Sequence, residues 1–262
     1  MSIRKGYSDG PEGQIHWRMT GEGAPDLYCF SPAPFSGIAY SAILPLLARG
    51  RRVIAPDYPG QGGSDGDTPT PSIEDYARSM CALIGALSGE SPVQLTGFHS
   101  GCLVAVEVAL RLADQVSHIA LVDVPAFDPE TRAKYLPMTG APYEPTLDLT
   151  SQEKAWERAV TSRVETQPLE RSLEMFADQV ANGPRQNATF HAAFTCDVER
   201  QFDRLERSAT IIATQSGLLE PSRRAASLIS GAQLVERLDI QGSVLDQNAA
   251  KTADAILGAL SG

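Results

Sequence analysis

The residues best suited to chemistry lie in the segment Leu95-Thr96-Gly97-Phe98-His99-Ser100-Gly101-Cys102. Turns of the form G-x-S-x-G join a strand to a helix so tightly that the middle residue is exposed, and their glycines let the two elements approach closely. Gly97 and Gly101 supply this frame, but the middle residue is His99, and the nearby hydroxyl of Ser100 stands one position later. The segment therefore predicts the turn with an imidazole where a serine nucleophile is expected.

An imidazole at this position suits acid–base chemistry, because it titrates near neutral pH. We predict that His99 is a general base or acid; the alternative is that it only fills the turn and hydrogen-bonds locally. Ser100 has two interpretations. It is a displaced nucleophile, although that register puts Phe98 where a small residue is needed, or it presents its backbone N–H to an oxyanion at the start of a helix.

Two further residues are candidates for the same site. Asp123 ends a predicted strand and either orients His99 or binds neighbouring loop amides. His191 lies in an apolar and aromatic stretch and is either a second proton carrier or ligand contact, or a structural histidine. Asp197 and Glu220 rank lower, because both are typical of surface charges. The spacing of the histidines matches no local metal motif, so we expect neither a metal nor another cofactor.

The elements that position these residues follow from short apolar runs that alternate with helical patterns. This alternation indicates a mostly parallel sheet with helices on both faces. Ser72 is a predicted N-cap and Asp246 is predicted to cap the last helix. The predicted strands are Gln14–Met19, Leu27–Phe30, Arg52–Asp57, Val93–Gly97, His118–Val122, Ala209–Thr214 and Ala232–Leu238, and the predicted helices include Ile38–Arg49, Ser72–Leu87 and Ser100–Leu112.

The alternation of strand-like apolar runs and helical patterns stops after Asp123 and resumes near Ala209. Thr150 to Glu153 has the form of a capping box that opens a helix. We therefore predict a core in two parts, residues 1–125 and 206–262, with a helical cap inserted over 126–205. The prolines that mark the start of this insertion are Pro125, Pro129, Pro137, Pro142 and Pro145.

Several segments together resemble the α/β-hydrolase superfamily over nearly the full length. Arg52 to Asp65, RVIAPDYPGQGGSD, is similar to a strand and turn that many cap-bearing members write as RVIAPDxPGxGxSD, and His118–Pro125 is similar to the strand before their cap. Gly6–Asp9, the turn at His99 and 183–194 also look like a branch whose corresponding turns, such as GYHTG, carry histidine in the middle. The resemblance implies an α/β-hydrolase fold: a mostly parallel, doubly wound sheet with an inserted helical cap.

Three other positions depart from the superfamily's catalytic pattern. Gln215–Leu219 replaces the usual acid, and Ile240–Val244 lacks the usual late histidine. The loop that donates one oxyanion N–H contains Pro32, which has no N–H, so Ser31 or Ala33 must donate instead.

Composition limits the classes of partner. The net charge is −10 and no run of lysine or arginine is longer than the pair Arg51-Arg52, which argues against nucleic acid and anionic membranes and favours a small-molecule ligand. Four scattered cysteines indicate free thiols in a reducing cytoplasm. The N-terminus lacks a signal-peptide pattern, and no apolar run approaches the roughly 18 residues of a membrane helix. Pairing with a second copy of the chain stays open.

These observations together predict a small-molecule enzyme, hydrolase-like or lyase-like and cofactor-free, in which His99 works beside the backbone amides of Ser100 and of the Ser31/Ala33 loop. The first alternative is a catalytically silent protein that binds a small ligand under its cap. The second is a serine esterase that uses Ser100. The missing acid and the missing late histidine favour the first alternative over the second, because an unactivated serine is a weak nucleophile.

Overall fold

A computed structural model describes residues 2–139, 147–207 and 209–261 and shows one eight-stranded sheet. The strand order is β1-β2-β4-β3-β5-β6-β7-β8. β2 runs antiparallel to β1 and β4, and every other neighbouring pair is parallel. The strands are β1 Arg4–Gly10, β2 Gly13–Thr20, β3 Asp26–Phe30, β4 Val53–Pro56, β5 Val93–Phe98, β6 Val116–Val122, β7 Thr210–Gln215 and β8 Gln233–Gln241.

Helices cover both faces of the sheet, and each face buries its own apolar cluster. Met80 and Leu103 belong to one cluster, and Leu44 and Ile256 belong to the other. The doubly wound α/β architecture predicted from the alternating pattern is confirmed. The α-helices are α1 Leu44–Leu47, α2 Ile73–Ser88, α3 Gly101–Arg111, α4 Pro129–Tyr135, α5 Thr150–Trp156, α6 Leu169–Ala181, α7 Ala188–Thr195, α8 Val198–Asp203, α9 Leu219–Leu228 and α10 Ala249–Ala259.

The seven predicted strands correspond to β2 through β8, with ends that differ by at most three residues. β1 was not predicted, because its sequence is polar and glycine-containing and most of its side chains are exposed. The predicted helix Ile38–Arg49 is wrong as a continuous element. A 3-10 turn at Gly37–Tyr40 is followed by the short α1, which has Pro45 in its first turn, where a missing N–H is tolerated.

Two predicted helix caps are also wrong, although their helices exist. Asp246 does not cap α10, because its carboxylate accepts a hydrogen bond from Arg171 Nε at 2.8 Å, and Asn248 precedes the helix without a side-chain cap. Thr150 is the first residue of α5 and not its cap, and Leu149 precedes it. By contrast, Ser72 and Asp75 form a complete capping box at the start of α2, as the predicted N-cap requires.

Asp57 directly follows β4, and its side chain holds the turn after that strand in place. Its fully buried carboxylate accepts from Arg18 Nη1 at 2.7 Å and lies 2.8 Å from His16 Nδ1. It also accepts from the backbone N–H groups of Gly37 and Gly63, each at 2.9 Å. A buried charge is tolerated only when paired and hydrogen-bonded, so these contacts give the motif a structural role.

The chain between β6 and β7 contains α4 through α8, and we refer to residues 126–205 as the cap segment. Pro142 and Pro145 lie outside the described residues, and the division of the chain into core and cap domains stays a prediction. None of the helices in the described ranges is long and apolar enough to cross a membrane.

Candidate functional site

The turn between β5 and α3 is as tight as its two glycines predict. A Cβ on Gly97 would overlap the backbone of Gly101 and Cys102, and a Cβ on Gly101 would overlap the carbonyl of Phe30. The residue between them, His99, has a φ of 51°, in the left-handed region that residues other than glycine rarely adopt. Such strain persists only where surrounding structure imposes it, and it holds the imidazole at the carboxyl edge of the sheet.

His99 and Asp123 meet because their strands are neighbours in register. Phe98 at the end of β5 pairs with Val122 at the end of β6, so the next residue on each strand leaves the sheet at the same level. Asp123 also has a φ of 51°. His99 Nε2 lies 4.0 Å from Asp123 Oδ2. The structure therefore places the predicted imidazole and the predicted carboxylate side by side.

Asp123 is fully buried and held by the next strand. Its Oδ1 accepts from Thr214 N–H at 2.8 Å, and its Oδ2 accepts from the Thr214 hydroxyl at 2.6 Å. Burial raises the pKa of this carboxyl, and the hydrogen bonds from Thr214 and Ser216 oppose the rise. Asp123 is thus hydrogen-bonded to Thr214 on β7, a strand residue, whereas its 4.0 Å separation from His99 Nε2 is longer than a hydrogen bond, so its role in orienting His99 stays a prediction.

His99 is surrounded by protein, but its side chain opens into two cavities. Burial, with a smaller contribution from the positive charge of Arg163, lowers the pKa of the imidazole to about 3. The side chain keeps 40 % of its surface accessible, and His99 lines two cavities. The imidazole is therefore neutral at pH 7.

The backbone donors beside His99 are those of Ser100 and Ala33. Ala33 N–H donates to Ser100 Oγ at 2.7 Å, whereas the N–H of Ser100 makes no hydrogen bond within the described parts of the chain. Of the two donors left open by the sequence, Ala33 lines both cavities. Ser31 is fully buried and lines neither. Ala33 and Ser100 are therefore the candidate donors beside His99, and of the two only the Ser100 N–H has no hydrogen bond among the described residues.

Two cavities meet at His99, Ala33 and Ser216. The first, of about 370 Å³, is walled mainly by apolar side chains, and we call it the apolar cavity. The second, of about 310 Å³, is the polar cavity, and its lining includes Asp123 and Arg163. The apolar walls come from Pro125, Phe127, Phe190, Ala193, Phe194 and Leu218.

The other predicted residues lie elsewhere. His191 on α7 lines neither cavity, and its Nδ1 lies 3.5 Å from Thr139 Oγ1 within the cap segment. Asp197 accepts from Arg200 N–H as the N-cap of α8, and Glu220 pairs with Arg223. His191 is thus not brought together with His99, and Asp197 and Glu220 have the surface roles that ranked them lower.

The turns after β7 and β8 carry hydroxyls in place of the usual acid and histidine. Ser216 lines both cavities, and Ser243 lines the polar cavity and lies 2.8 Å from Thr166 Oγ1. Sequence analysis missed Ser216 and Arg163 as site residues. The departure at Gln215–Leu219 marked the first position, but no pattern distinguished Arg163 from other arginines. In the described ranges, no group of three or more histidine, cysteine or acidic residues is placed to hold a metal ion.

The cap segment is attached to the loop that carries Ala33. Asp178 on α6 accepts from both the N–H and the hydroxyl of Ser36, at 2.8 and 2.6 Å. Asn182, just after α6, accepts from Gly62 N–H at 2.9 Å and donates to Gln61 Oε1 at 2.7 Å. These contacts place the cap segment over the carboxyl edge of the sheet, where ligands bind in open α/β folds.

Comparisons with known proteins agree with this architecture. A hydrolase from Pseudomonas aeruginosa PA01 superposes with a TM-score of 0.81 at 19% identity, covering 99% of both chains. The enol-lactonase from Burkholderia xenovorans LB400 gives a TM-score of 0.80 at 20% identity, covering 98% of this chain and 100% of that one. At these identities, both superpositions show a shared fold and no more.

Sequence similarity adds a partial match and a family assignment. "Putative carbamate hydrolase RutD" of Azorhizobium caulinodans is 27% identical over 117 residues, which is 45% of this chain and 43% of that protein. The match thus spans less than half of the relative's length. The sequence profile described as "Alpha/beta hydrolase family" matches residues 23–252. The chain therefore belongs to the alpha/beta hydrolase family.

Proposed function

We propose that this protein hydrolyses a small carbonyl compound without a cofactor, and that His99 is its general base. The observation that carries the proposal is the position of His99, whose Nε2 faces Asp123 at 4.0 Å where two cavities meet. The unbonded N–H of Ser100 supports hydrolysis over other proton transfers, because it is available to an oxyanion. The names of two similar proteins, a carbamate hydrolase and an enol-lactonase, support a carbonyl substrate.

In this mechanism the neutral imidazole accepts a proton from water through Nδ1 while the water oxygen attacks the carbonyl carbon. The Ser100 N–H donates to the oxygen that becomes negative. Asp123 stabilises the imidazolium through Nε2–H, which requires the 4.0 Å separation to shorten. When the tetrahedral intermediate collapses, the carbon bond to the leaving oxygen or nitrogen breaks and the imidazolium returns its proton to that atom.

The lowered pKa of His99 suits the first step in one respect. With a pKa of about 3 the imidazole is neutral at pH 7, so the proton-accepting form is fully populated. A group with so low a pKa is a weak base at rest. Its proton affinity must rise as negative charge develops on the substrate and as the imidazolium approaches Asp123, which is why the carboxylate is essential to the proposal.

A silent ligand-binding protein is the second candidate, favoured by one specific contact. Ala33 N–H is already bonded to Ser100 Oγ, so one of the two oxyanion donors is occupied. The turns after β7 and β8 also lack the usual acid and histidine. Under this hypothesis His99 packs against ligand without transferring a proton.

The first experiment measures hydrolysis of p-nitrophenyl acetate, dihydrocoumarin and p-nitrophenyl N-methylcarbamate by wild type and His99→Ala. We expect the variant to fold and to lose a factor of about 10² to 10⁴ in kcat on any substrate that wild type turns over. His191→Ala is the matched control, because it removes a histidine that lines neither cavity. Full activity in His99→Ala contradicts the proposal, and absence of turnover by wild type supports the silent binder.

Ser100→Ala separates general-base catalysis from a serine esterase. The change leaves the backbone N–H of residue 100 in place and frees Ala33 N–H, so we expect activity to increase about 2- to 10-fold, the range of one hydrogen bond. A fluorophosphonate probe should not label wild type, because no base activates the hydroxyl. Loss of activity in Ser100→Ala together with labelling at Ser100 would establish the serine esterase instead.

A further inference from the structure

Among the described residues, Arg163 is the one lysine or arginine that lines the polar cavity, and backbone hydrogen bonds fix its segment there. Its segment follows a π-helical turn at Glu157–Thr161, and its own N–H donates to Val160 O at 2.9 Å. Its carbonyl accepts from the N–H groups of Thr166 and Gln167 at 2.8 and 3.0 Å. The guanidinium carbon lies 5.2 Å from the centroid of the Phe35 ring, on the wall of the cavity.

The guanidinium of Arg163 has no hydrogen-bond or ion-pair partner among the described residues. Arg171, also on the cap segment, shows the contrast, because it binds Asp246, Glu174 and two backbone carbonyls. Asp246 lines the same cavity and its negative charge acts on Arg163, but its Oδ1 is bound by Arg171. The side chain is half-buried and none of its nitrogens is among the buried polar atoms that lack a partner, so its N–H donors are open to the cavity and available to a ligand.

We propose that Arg163 binds a carboxylate group of the ligand, and thereby sets the substrate class. A planar guanidinium matches a carboxylate through two parallel hydrogen bonds. Arg163 and His99 line the same cavity of about 310 Å³, so one small ligand can contact both groups. This inference rests on the proposed function in one respect: the ligand is a substrate only if the protein is a hydrolase.

The second cavity defines the other half of the ligand. Its aromatic walls, including Phe127 and Phe194, whose rings stack with centroids 5.6 Å apart, accept an apolar group. A molecule that fills both cavities has a carboxylate at Arg163, a scissile carbonyl at His99 and an aliphatic or aromatic part beneath α7. The substrate class is therefore a carboxylated ester, lactone or carbamate with an apolar substituent.

Binding is tested with 4-phenylbutyrate and its neutral analogue 4-phenylbutyramide, by isothermal titration calorimetry with the full chain. Wild type should bind the carboxylate at least about tenfold more tightly than the amide. Arg163→Gln should weaken carboxylate binding about 10- to 100-fold, the value of a charged hydrogen-bonded pair, and leave amide binding unchanged. Arg163→Lys should lose less, because it keeps the charge without the planar pair of donors.

Arg158→Gln is the matched control. Arg158 lies five residues earlier on the same segment, over the Phe190 ring, and lines a neighbouring cavity in the cap segment that shares Phe190 and Phe194 with the apolar cavity but is not lined by His99 or Arg163. Its variant should keep the wild-type preference for the carboxylate over the amide. Equal affinity of wild type for the two probes, no binding of either, or an equal loss in Arg158→Gln and Arg163→Gln overturns the proposal.

The same probes separate this inference from the proposed function. Binding of 4-phenylbutyrate does not require catalysis, so selectivity that depends on Arg163 stands even if His99→Ala keeps full activity. Conversely, His99→Ala can lose activity while wild type shows no preference for the carboxylate over the amide. That result supports His99 as the general base and contradicts the role of Arg163.

Discussion

The turns after β5 and β6 and the turns after β7 and β8 lie along one edge of the sheet but differ in construction. The first pair holds His99 and Asp123, each at a φ of 51°, and glycines without space for a Cβ enclose the β5 turn. The second pair presents Ser216 and Ser243, and a Cβ on Gly217 would meet nothing within 4 Å. Strain and ionisable groups are thus concentrated on two neighbouring strands.

This difference shows how an imidazole and a carboxylate can be paired by two neighbouring strands alone. A serine triad in this family draws its members from turns on separate strands, whereas here imidazole and carboxylate follow paired residues of β5 and β6. Their separation is therefore set by the sheet ladder and by Thr214 on β7. The other two turns are free to shape the cavities.

The largest expected effect comes from restoring the usual nucleophile to the first pair of turns. His99→Ser rebuilds G-x-S-x-G, but the turns after β7 and β8 still supply no acid or histidine. We expect kcat to fall by about 10² to 10⁴, as in His99→Ala, because the new serine is unactivated. Steady-state hydrolysis and fluorophosphonate labelling check this. Esterase activity above that of wild type would show that the second pair of turns still contains a working base.

The next effect is on stability, and it compares one glycine from each pair of turns. Gly101→Ala places a Cβ against the carbonyl of Phe30 and should lower the free energy of unfolding by about 3 kcal/mol. Gly217→Ala enters open space without a left-handed φ and should change it by no more than about 0.5 kcal/mol. Urea unfolding measures both. Similar values for the two variants would contradict the contrast in packing.

The smallest expected effect is the pH dependence that His99 gives to stability. Its pKa is about 3 in the folded protein and near 6.5 when unfolded, so protonation favours the unfolded chain. The stability of wild type should therefore fall, relative to His99→Gln, as the pH decreases from about 6.5 toward 3. Because 40 % of the side chain is accessible, we expect a difference of about 1 kcal/mol at pH 4.

Urea unfolding at pH 7 and pH 4 provides the measurement. His191→Gln serves as the control, because it removes a histidine outside both cavities, and it should follow wild type. If the free energies of unfolding of wild type and His99→Gln change equally with pH, the imidazole is solvated in the folded protein. The contrast between the two pairs of turns, which depends on His99 being enclosed, would then fail.

Patterns within short segments accounted for most of what the sequence predicted correctly. The glycine frame at His99 and the strands β2 to β8 follow from spacing and apolar runs that local sequence contains. β1 was missed because its side chains are largely exposed, so no apolar alternation marks it. The helix predicted over Ile38–Arg49 failed because tertiary packing, not helical continuity, buries Tyr40 and Leu44.

The site was less predictable, because its geometry depends on contacts between distant segments. Asp123 was proposed to orient His99 or to bind loop amides, and only the register of β5 with β6 shows that it faces both partners. Arg163 resembles any charged cap residue in sequence, and only the structure shows that it has no ion-pair partner among the described residues, since Arg171 binds Asp246. Similarly, the preference for Ala33 over Ser31 as a candidate donor depends on which of them lines the cavities.

The attachment of α6 to Ser36 has a consequence for selectivity. Ser36 stands three residues after Ala33 on one short loop, so the bonds to Asp178 fix the same piece of backbone that presents a candidate oxyanion donor. Under the proposed function, a ligand that displaced α6 would disturb that donor, and the return of α6 would restore it. A bulky molecule that kept α6 displaced would bind and yet react slowly, so the protein would discriminate by turnover instead of affinity.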